Sequence, residues 1–131
     1  DLMGCRDVKV EMRGVFRDVR GLVFEPLGAG ELGLQRNVHV VVTEPGMVRG
    51  NHRHWLGLEV LVVVGPAEVR MAEDGEVGDY RVPEGEVHRF VIPPGVAHAV
   101  RHGGGVPGLL VSFSTRGHDP ADPDVERVEL F

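Results

Sequence analysis

Three histidines and one glutamate have the types and spacing of a metal site: His52, His54, Glu59 and His98. Residues two apart on a β-strand point to the same face, so a strand that carries His52 and His54 presents both imidazoles on one side. Three imidazoles and one carboxylate suit Zn²⁺, Fe²⁺, Mn²⁺ or Ni²⁺ and leave room for water or substrate. We predict that these four side chains bind one divalent metal ion, with zinc as the first choice.

The positions of Glu59 and His98 support this ligand set. Glu59 opens an apolar run and would share a strand face with Leu61 and Val63. A carboxylate on an apolar face is costly unless it is paired or binds a metal. His98 follows a Pro-Pro-Gly turn, which places it on a third strand. We therefore expect all four side chains to enter the interior of one barrel.

The elements that must position these residues are short strands. Nineteen glycines and nine prolines punctuate the chain, and no long segment has apolar residues at helical spacing. The β-branched runs between them predict strands at residues 8–12, 38–43, 60–64, 67–71, 87–92, 109–113 and 125–131. The acidic, proline-broken stretch 118–124 is expected to be irregular. This pattern predicts an all-β sandwich or barrel in a single domain over residues 1–131.

Composition limits the partners. The net charge of −6 argues against a nucleic-acid or anionic-membrane binder, which would carry a basic excess. There is no apolar run of about 18 residues and no signal-peptide pattern, so we expect a cytoplasmic protein with no membrane span. Cys5 is the single cysteine and cannot form an internal disulfide, so the fold depends on its core.

Two segments resemble the cupin motifs. Residues 46–65 have the order glycine, His-x-His, glutamate and glycine of the first motif, although the last gap is five residues instead of six. Residues 93–98 match the Pro-x-Gly-x-x-His of the second motif, with His102 where asparagine is usual. The resemblance, whose core motifs span residues 46–102, implies a jelly-roll barrel. It also implies a homodimer, with an edge strand supplying the contact.

A narrower resemblance rests on residues 18–21 (Asp-Val-Arg-Gly), 49–54 and 118–124, in that order. They are similar to the metal-binding C-terminal cupin domain of capsular polysaccharide assembly enzymes, in which a reductase domain precedes the cupin. The chain more distantly resembles the sugar-nucleotide 3,4-ketoisomerases, where glutamine commonly replaces the glutamate and no metal takes part. Glu59 favours the metal-binding branch. The resemblance implies a metal-dependent epimerase or isomerase of a nucleotide-activated keto sugar in polysaccharide biosynthesis.

Such a reaction needs a group that moves a proton beside a metal-polarised carbonyl. His102 is the first candidate because it shares the strand face of His98, unless it lies in water at the barrel mouth. Tyr80 is a weaker acid candidate, and the remaining imidazoles, His88 and His39, rank below His102.

Substrate contacts are expected from two other side chains. Arg49 is the candidate for the diphosphate, because a guanidinium fork matches phosphate oxygens. Trp55 either stacks on a sugar or base or packs at the rim of the barrel. Arg53 lies between the two inward histidines and therefore points out of the barrel, where a dimer contact is open to it.

Two other functions remain open. Three histidines and a glutamate also serve iron or nickel oxygenases. A non-catalytic sugar-binding or sensor cupin is the third hypothesis, which an aromatic content of only 5% leaves open. Residues 18–21 and 119–124 favour the epimerase or isomerase.

Overall fold

The computed structural model describes residue 5 and residues 7–131. Over these residues the chain forms twelve β-strands and one short helix. The strands are β1 (Lys9–Arg13), β2 (Val15–Asp18), β3 (Gly21–Phe24), β4 (Asn37–Thr43), β5 (Val48–Arg53), β6 (Glu59–Val64), β7 (Ala67–Glu73), β8 (Glu76–Val82), β9 (Val87–Ile92), β10 (Ala97–His102), β11 (Gly108–Ser114) and β12 (Glu126–Arg127), and helix α1 is Ala29–Leu32.

Two five-stranded antiparallel sheets face each other. The first has the order β1-β9-β6-β11-β4 and the second the order β12-β5-β10-β7-β8. Strands β2 and β3 form a separate hairpin. The all-β prediction is confirmed. No helix in the described part of the chain has the length and apolar character needed to cross a membrane.

Strand β6 lies at the centre of the first sheet and is buried on both faces. Leu61 and Val63 pack into the core between the two sheets. Val60 and Val62 pack on the opposite face, in a second cluster that includes Leu27. Burial on both faces explains why this strand reads as a continuous apolar run instead of an alternating one.

Most predicted strands are present with small changes at their ends. The runs at 38–43, 60–64, 67–71 and 109–113 are extended by one or two residues, 87–92 is unchanged, and 8–12 is displaced by one residue. Strands β2, β3 and β8 were not predicted. Their segments are short or interrupted by charged residues, so period-2 alternation is weak in them.

The predicted strand at 125–131 was too long. Only Glu126 and Arg127 pair with β5. Beyond them, the side-chain oxygen of Asn51 accepts the backbone N–H groups of Leu130 and Phe131 at 2.9 and 3.2 Å. An amide side chain thus replaces the ladder partner, and the pairing ends.

Candidate metal centre

Three strands of the two sheets bring the four predicted ligands together. His52 lies on β5, His54 directly follows that strand, Glu59 opens β6, and His98 is the second residue of β10. The Cα atoms of His98 and His52 are partners across the β10–β5 ladder. One ligand atom from each of the four residues lies within 4.8 Å of the others.

A bulge between β5 and β10 aims the histidines. The register of the two strands shifts between His98 and Ala99. Opposite this point, Gly50 has a φ of 93°, and Asn51 has a φ of 57°. A Cβ at position 50 would lie 2.8 Å from the carbonyl oxygen of His98, so this site requires glycine. The bulge turns the strand so that His52 enters the barrel.

In two of the histidines, the Nδ1 atom forms a hydrogen bond with a backbone carbonyl group. His54 Nδ1 lies 2.5 Å from the carbonyl oxygen of Asp124, and His98 Nδ1 lies 3.2 Å from that of Val96. A carbonyl oxygen only accepts, so both Nδ1 atoms must donate. In a neutral imidazole the other nitrogen, Nε2, then carries a lone pair.

These lone pairs face a carboxylate. Oxygen Oε1 of Glu59 lies 3.1 Å from His54 Nε2 and 2.8 Å from His98 Nε2. Neither contact has the alignment of a hydrogen bond, and both Glu59 Oε1 and His98 Nε2 are buried without a hydrogen-bond partner. Three acceptor atoms at this separation require a cation or an added proton among them. The donor set and its orientation therefore fit a divalent metal ion.

The protonation states of Glu59 and His52 suit metal binding, whereas a metal ion would compete with a proton at His54. Burial alone would raise the pKa of the Glu59 carboxyl, but the imidazoles of His98 and His54 and the hydroxyl of Ser112 outweigh burial and hold it well below its usual range. Burial, with the nearby His98, lowers the pKa of His52 to about 4. The Glu59 carboxylate raises the pKa of His54. At neutral pH an ionised Glu59 and a neutral His52 are in their ligand forms.

A cavity of about 420 Å³ adjoins the cluster. All four predicted ligands line it, and so does Arg49. The other polar residues of its wall come from β4, from β11 and from the segment that follows β11. They include Asn37, His39, Ser112, Arg116, His118 and Asp119.

Trp55 lies at the rim of the barrel. Its side chain does not line the cavity and is 52% exposed. The indole N–H donates to a carboxylate oxygen of Glu126 at 3.0 Å, and the Arg53 guanidinium lies 5.0 Å from the centre of the indole ring. Arg53 also pairs with Glu126 at 3.0 Å. The structure shows Trp55 packed at the rim, and stacking on a sugar or base stays a prediction.

His102 faces the interior but lies at the other end of β10. It is four positions further along the strand than His98, a distance of about 13 Å, and it does not line the cavity. Its ring packs so closely on Gly108 that a Cβ there would lie 1.9 Å from His102 Nδ1. Only 1% of the residue is exposed, so the alternative that placed it in water is wrong. Burial lowers the pKa of His102, and neither ring nitrogen has a hydrogen-bond partner.

Tyr80 and His88 form a separate network at that same end of the barrel. The Tyr80 hydroxyl lies 2.7 Å from His88 Nδ1, and His88 Nε2 lies 2.8 Å from a carboxylate oxygen of Glu86. A neutral His88 that donates to Glu86 accepts from Tyr80. Neither residue lines the cavity beside the ligand cluster. The structure thus does not bring Tyr80, His88 or His102 to the four predicted ligands.

Sequence reasoning ranked His39 low and did not single out His118 or Arg116, yet all three line the cavity. A signal exists for His39: residues 37, 39 and 41 of β4 line the cavity and alternate with the exposed valines Val38 and Val40, although His39 is also exposed. Reading it requires knowing which face of an edge strand is internal. His118 and Arg116 lie outside the strands, so no periodicity marks them.

The chain can now be compared with known proteins. The polysaccharide biosynthesis C-terminal domain family matches residues 16–125. The chain belongs to this family. No curated protein sequence matches it.

Several solved structures share the fold of this chain. The capsular polysaccharide assembling protein CapF from Staphylococcus aureus is 24% identical with a TM-score of 0.67, and the match covers 90% of this chain and 34% of CapF. This chain thus spans about a third of the length of CapF.

Two smaller proteins match over most of their length. The rmlC epimerase of Mycobacterium tuberculosis is 16% identical with a TM-score of 0.71, over 97% of this chain and 70% of the epimerase. The QdtA 3,4-ketoisomerase from Thermoanaerobacterium thermosaccharolyticum, solved in complex with TDP, is 19% identical with a TM-score of 0.70, over 92% and 87%. The predicted cupin jelly-roll fold is confirmed.

Proposed function

We propose that this domain is a metal-dependent epimerase or isomerase that acts on a nucleotide-activated keto sugar in polysaccharide biosynthesis. The observation that carries the proposal is the convergence of His52, His54, Glu59 and His98 on one point beside a cavity. Membership of the polysaccharide biosynthesis family supports the substrate class. The fold that the chain shares with sugar-nucleotide epimerases and isomerases supports it as well.

The four residues bind one divalent ion in this proposal, with zinc as the first choice. Imidazole and carboxylate ligands suit zinc, and a substrate oxygen would have to enter as a fifth ligand, because catalytic zinc sites can expand from four-coordinate to five-coordinate. The bound ion would supply a Lewis acid that polarises the substrate carbonyl and makes the adjacent C–H more acidic. Ser112 donates a hydrogen bond to the second oxygen of Glu59 at 2.6 Å and so holds the carboxylate in place.

We assign proton transfer to His39. The first sequence candidates, His102 and Tyr80, lie outside the lining of the cavity, whereas His39 lines it and is the cross-strand neighbour of Ser112. Imidazole is the side chain whose ordinary pKa best suits proton exchange near neutral pH. His118, which also lines the cavity, is the second candidate for the same step.

Arg49 and Arg116 would hold the diphosphate of the substrate. Both line the cavity, and neither is a metal ligand. A guanidinium fork binds two phosphate oxygens at once, which fixes the sugar relative to the reacting groups. The TDP complex of QdtA supports a nucleoside diphosphate as the part of the substrate that these arginines recognise.

The proposed homodimer has a candidate surface. Strand β4 is at the edge of the first sheet, and its outward side chains Val38, Val40 and Val42 are 53%, 68% and 59% exposed. An apolar edge strand favours pairing with another strand. Light scattering after gel filtration checks this: we expect twice the chain mass for the wild type and a monomer for Val40→Lys.

The test of function combines metal analysis with proton exchange. We expect about one zinc ion per chain by mass spectrometry of untagged protein, and none in Glu59→Ala.

With dTDP-linked 4-keto sugars in heavy water, NMR should show deuterium entering the carbon next to the carbonyl. His39→Ala should slow this exchange about 100-fold or more and keep its zinc, while Tyr80→Phe serves as the matched control. Stoichiometric iron or nickel would favour the oxygenase reading, and zinc binding without exchange would favour the non-catalytic one.

A further inference from the structure

We infer that Asp124 is a positioning residue for the proposed metal centre: it anchors the turn between the ligands and holds His54 with Nε2 directed at Glu59. The inference rests on the metal site proposed above. It concerns a residue about 70 positions from His54 in sequence, on the segment that follows β11.

The carboxylate of Asp124 holds the turn that separates two ligands. It accepts the backbone N–H groups of Trp55 at 2.9 Å, Leu56 at 3.1 Å and Gly57 at 2.9 Å. These three residues belong to the connection between His54 and Glu59. One side chain therefore fixes the distance and angle at which β5 delivers one ligand and β6 the next.

The main chain of Asp124 acts on His54 directly. Its carbonyl oxygen lies 2.5 Å from His54 Nδ1 and can only accept a hydrogen bond. The single proton of a neutral imidazole is therefore committed to Nδ1, and the Nε2 lone pair points at Glu59 Oε1. A metal-bound histidine commonly has its second ring nitrogen fixed in this way by a carbonyl or carboxylate.

The surrounding contacts show that this approach is a built feature of the fold. A Cβ at Gly57 would lie 3.0 Å from the Ser114 hydroxyl and 3.5 Å from the Asp124 carboxylate, so the segment lies directly against the turn. Two residues further on, Glu126 binds both the Trp55 indole and the Arg53 guanidinium. The segment is thus fastened to the connection on either side of His54.

A purely structural role for Asp124 would predict a different result from a positioning role. Loss of a turn anchor alone would lower the free energy of unfolding and leave the His54 tautomer and the metal affinity unchanged. A positioning residue changes the tautomer and the metal affinity at a temperature where the protein is still folded. The experiment must therefore measure the imidazole itself.

The variant to test is Asp124→Asn in the full chain, with Asp122→Asn as its control. Asparagine keeps the shape but turns an NH₂ group toward the backbone N–H donors. Asp122 lies on the same segment, with its side chain 81% exposed and only a 3.6 Å contact to Arg116. Circular dichroism and thermal unfolding establish that both proteins are folded at the temperature used.

The first readout is long-range ¹H–¹⁵N NMR of the histidine rings in metal-free protein. At a pH above the raised pKa of His54, we expect His54 in the wild type and in Asp122→Asn to be protonated on Nδ1 only, and to become a mixture of tautomers in Asp124→Asn. The second readout is zinc affinity by competition with a coloured chelator, which we expect to fall about 10–100-fold in Asp124→Asn. An unchanged tautomer together with zinc affinity within twofold of the wild type would overturn the inference.

Failure of the metal proposal has its own signature. A wild-type chain that binds no zinc would remove the proposed function, and the tautomer in metal-free protein would then decide the role of Asp124 alone. If Asp124→Asn does not fold, Gly57→Ala tests the same contact from the opposite side. We expect that variant to shift the His54 tautomer in the same direction and to weaken zinc binding less, and an unchanged tautomer there would count against the inference.

Discussion

The two ends of the barrel both bury histidines, but they use them differently. At one end His98 and His54 turn Nε2 toward the same oxygen of Glu59 and toward the cavity. At the other end His88 lies between the donor Tyr80 and the acceptor Glu86, so each of its nitrogens has a partner of the right kind.

His102 adds a third case at that second end, since it is buried with no partner at all. Burial and histidine content are therefore poor guides to a metal site. The two ends differ in one feature: at the first end several acceptor atoms converge without a hydrogen-bond donor among them. When the imidazoles are neutral, only a cation can interact favourably with all of these acceptors.

The largest expected effect comes from removing a ligand at one end and a histidine at the other. His98→Ala should lower bound zinc well below one ion per chain, because it removes one of the four ligands. His102→Ala should keep about one ion. Elemental analysis of both variants, purified in parallel without a histidine tag, measures the difference. Equal zinc content in the two would contradict a metal site at the end of the barrel that carries His98.

An intermediate effect concerns acid stability. Burial lowers the pKa of His102, so below about pH 6.5 the unfolded chain takes up a proton that the folded chain excludes. The free energy of unfolding therefore does not depend on the protonation of His102 above that pH, and it decreases as the pH falls below it. The decrease approaches about 1.4 kcal/mol per pH unit for one proton.

His102→Leu removes this titrating group while keeping an apolar side chain in the core. We expect its free energy of unfolding to fall less steeply between pH 6.5 and pH 5 than that of the wild type. Urea denaturation of both metal-free proteins at several pH values checks this. Parallel curves would show that the His102 imidazole finds a partner in solution.

The smallest expected effect is that of Tyr80→Phe. The hydroxyl donates to His88 at 2.7 Å, and its loss should cost about 1 kcal/mol of stability. Zinc affinity should stay within twofold of the wild type because Tyr80 does not line the cavity. Chelator competition and denaturation on the same preparation test both statements, and a large loss of zinc would mean that the two ends are coupled.

Most strands of the barrel and the four residues of the ligand cluster could be predicted from the sequence. Local alternation was enough to predict the strands. The spacing of the clustered residues was enough to predict that they share an interior face, because residues two apart on a strand point to the same side. Parity also placed His102 correctly in the interior. Parity gives only the face of the strand, and the offset of four positions from His98 already puts about 13 Å between the two residues.

Other parts of the site depend on long-range packing that no local pattern reports. Asp124 reaches His54 from about 70 residues away, through a segment without regular structure. His39 lies on an edge strand with one face in the cavity and the other exposed, and only the assembled sheet shows which is which. The β2–β3 hairpin was missed because its strands have only four residues each.

X-ray absorption at the zinc edge reports on the side chains that bind the ion. Protein loaded with one equivalent of zinc should show a first shell of nitrogen and oxygen at about 2.0–2.1 Å with clear imidazole scattering from three histidines. His98→Ala should lose the site and His102→Leu should give an unchanged spectrum. Two results would show that the four predicted residues are not the zinc ligands: a wild-type spectrum of hydrated zinc, or a spectrum that changes in His102→Leu and not in His98→Ala.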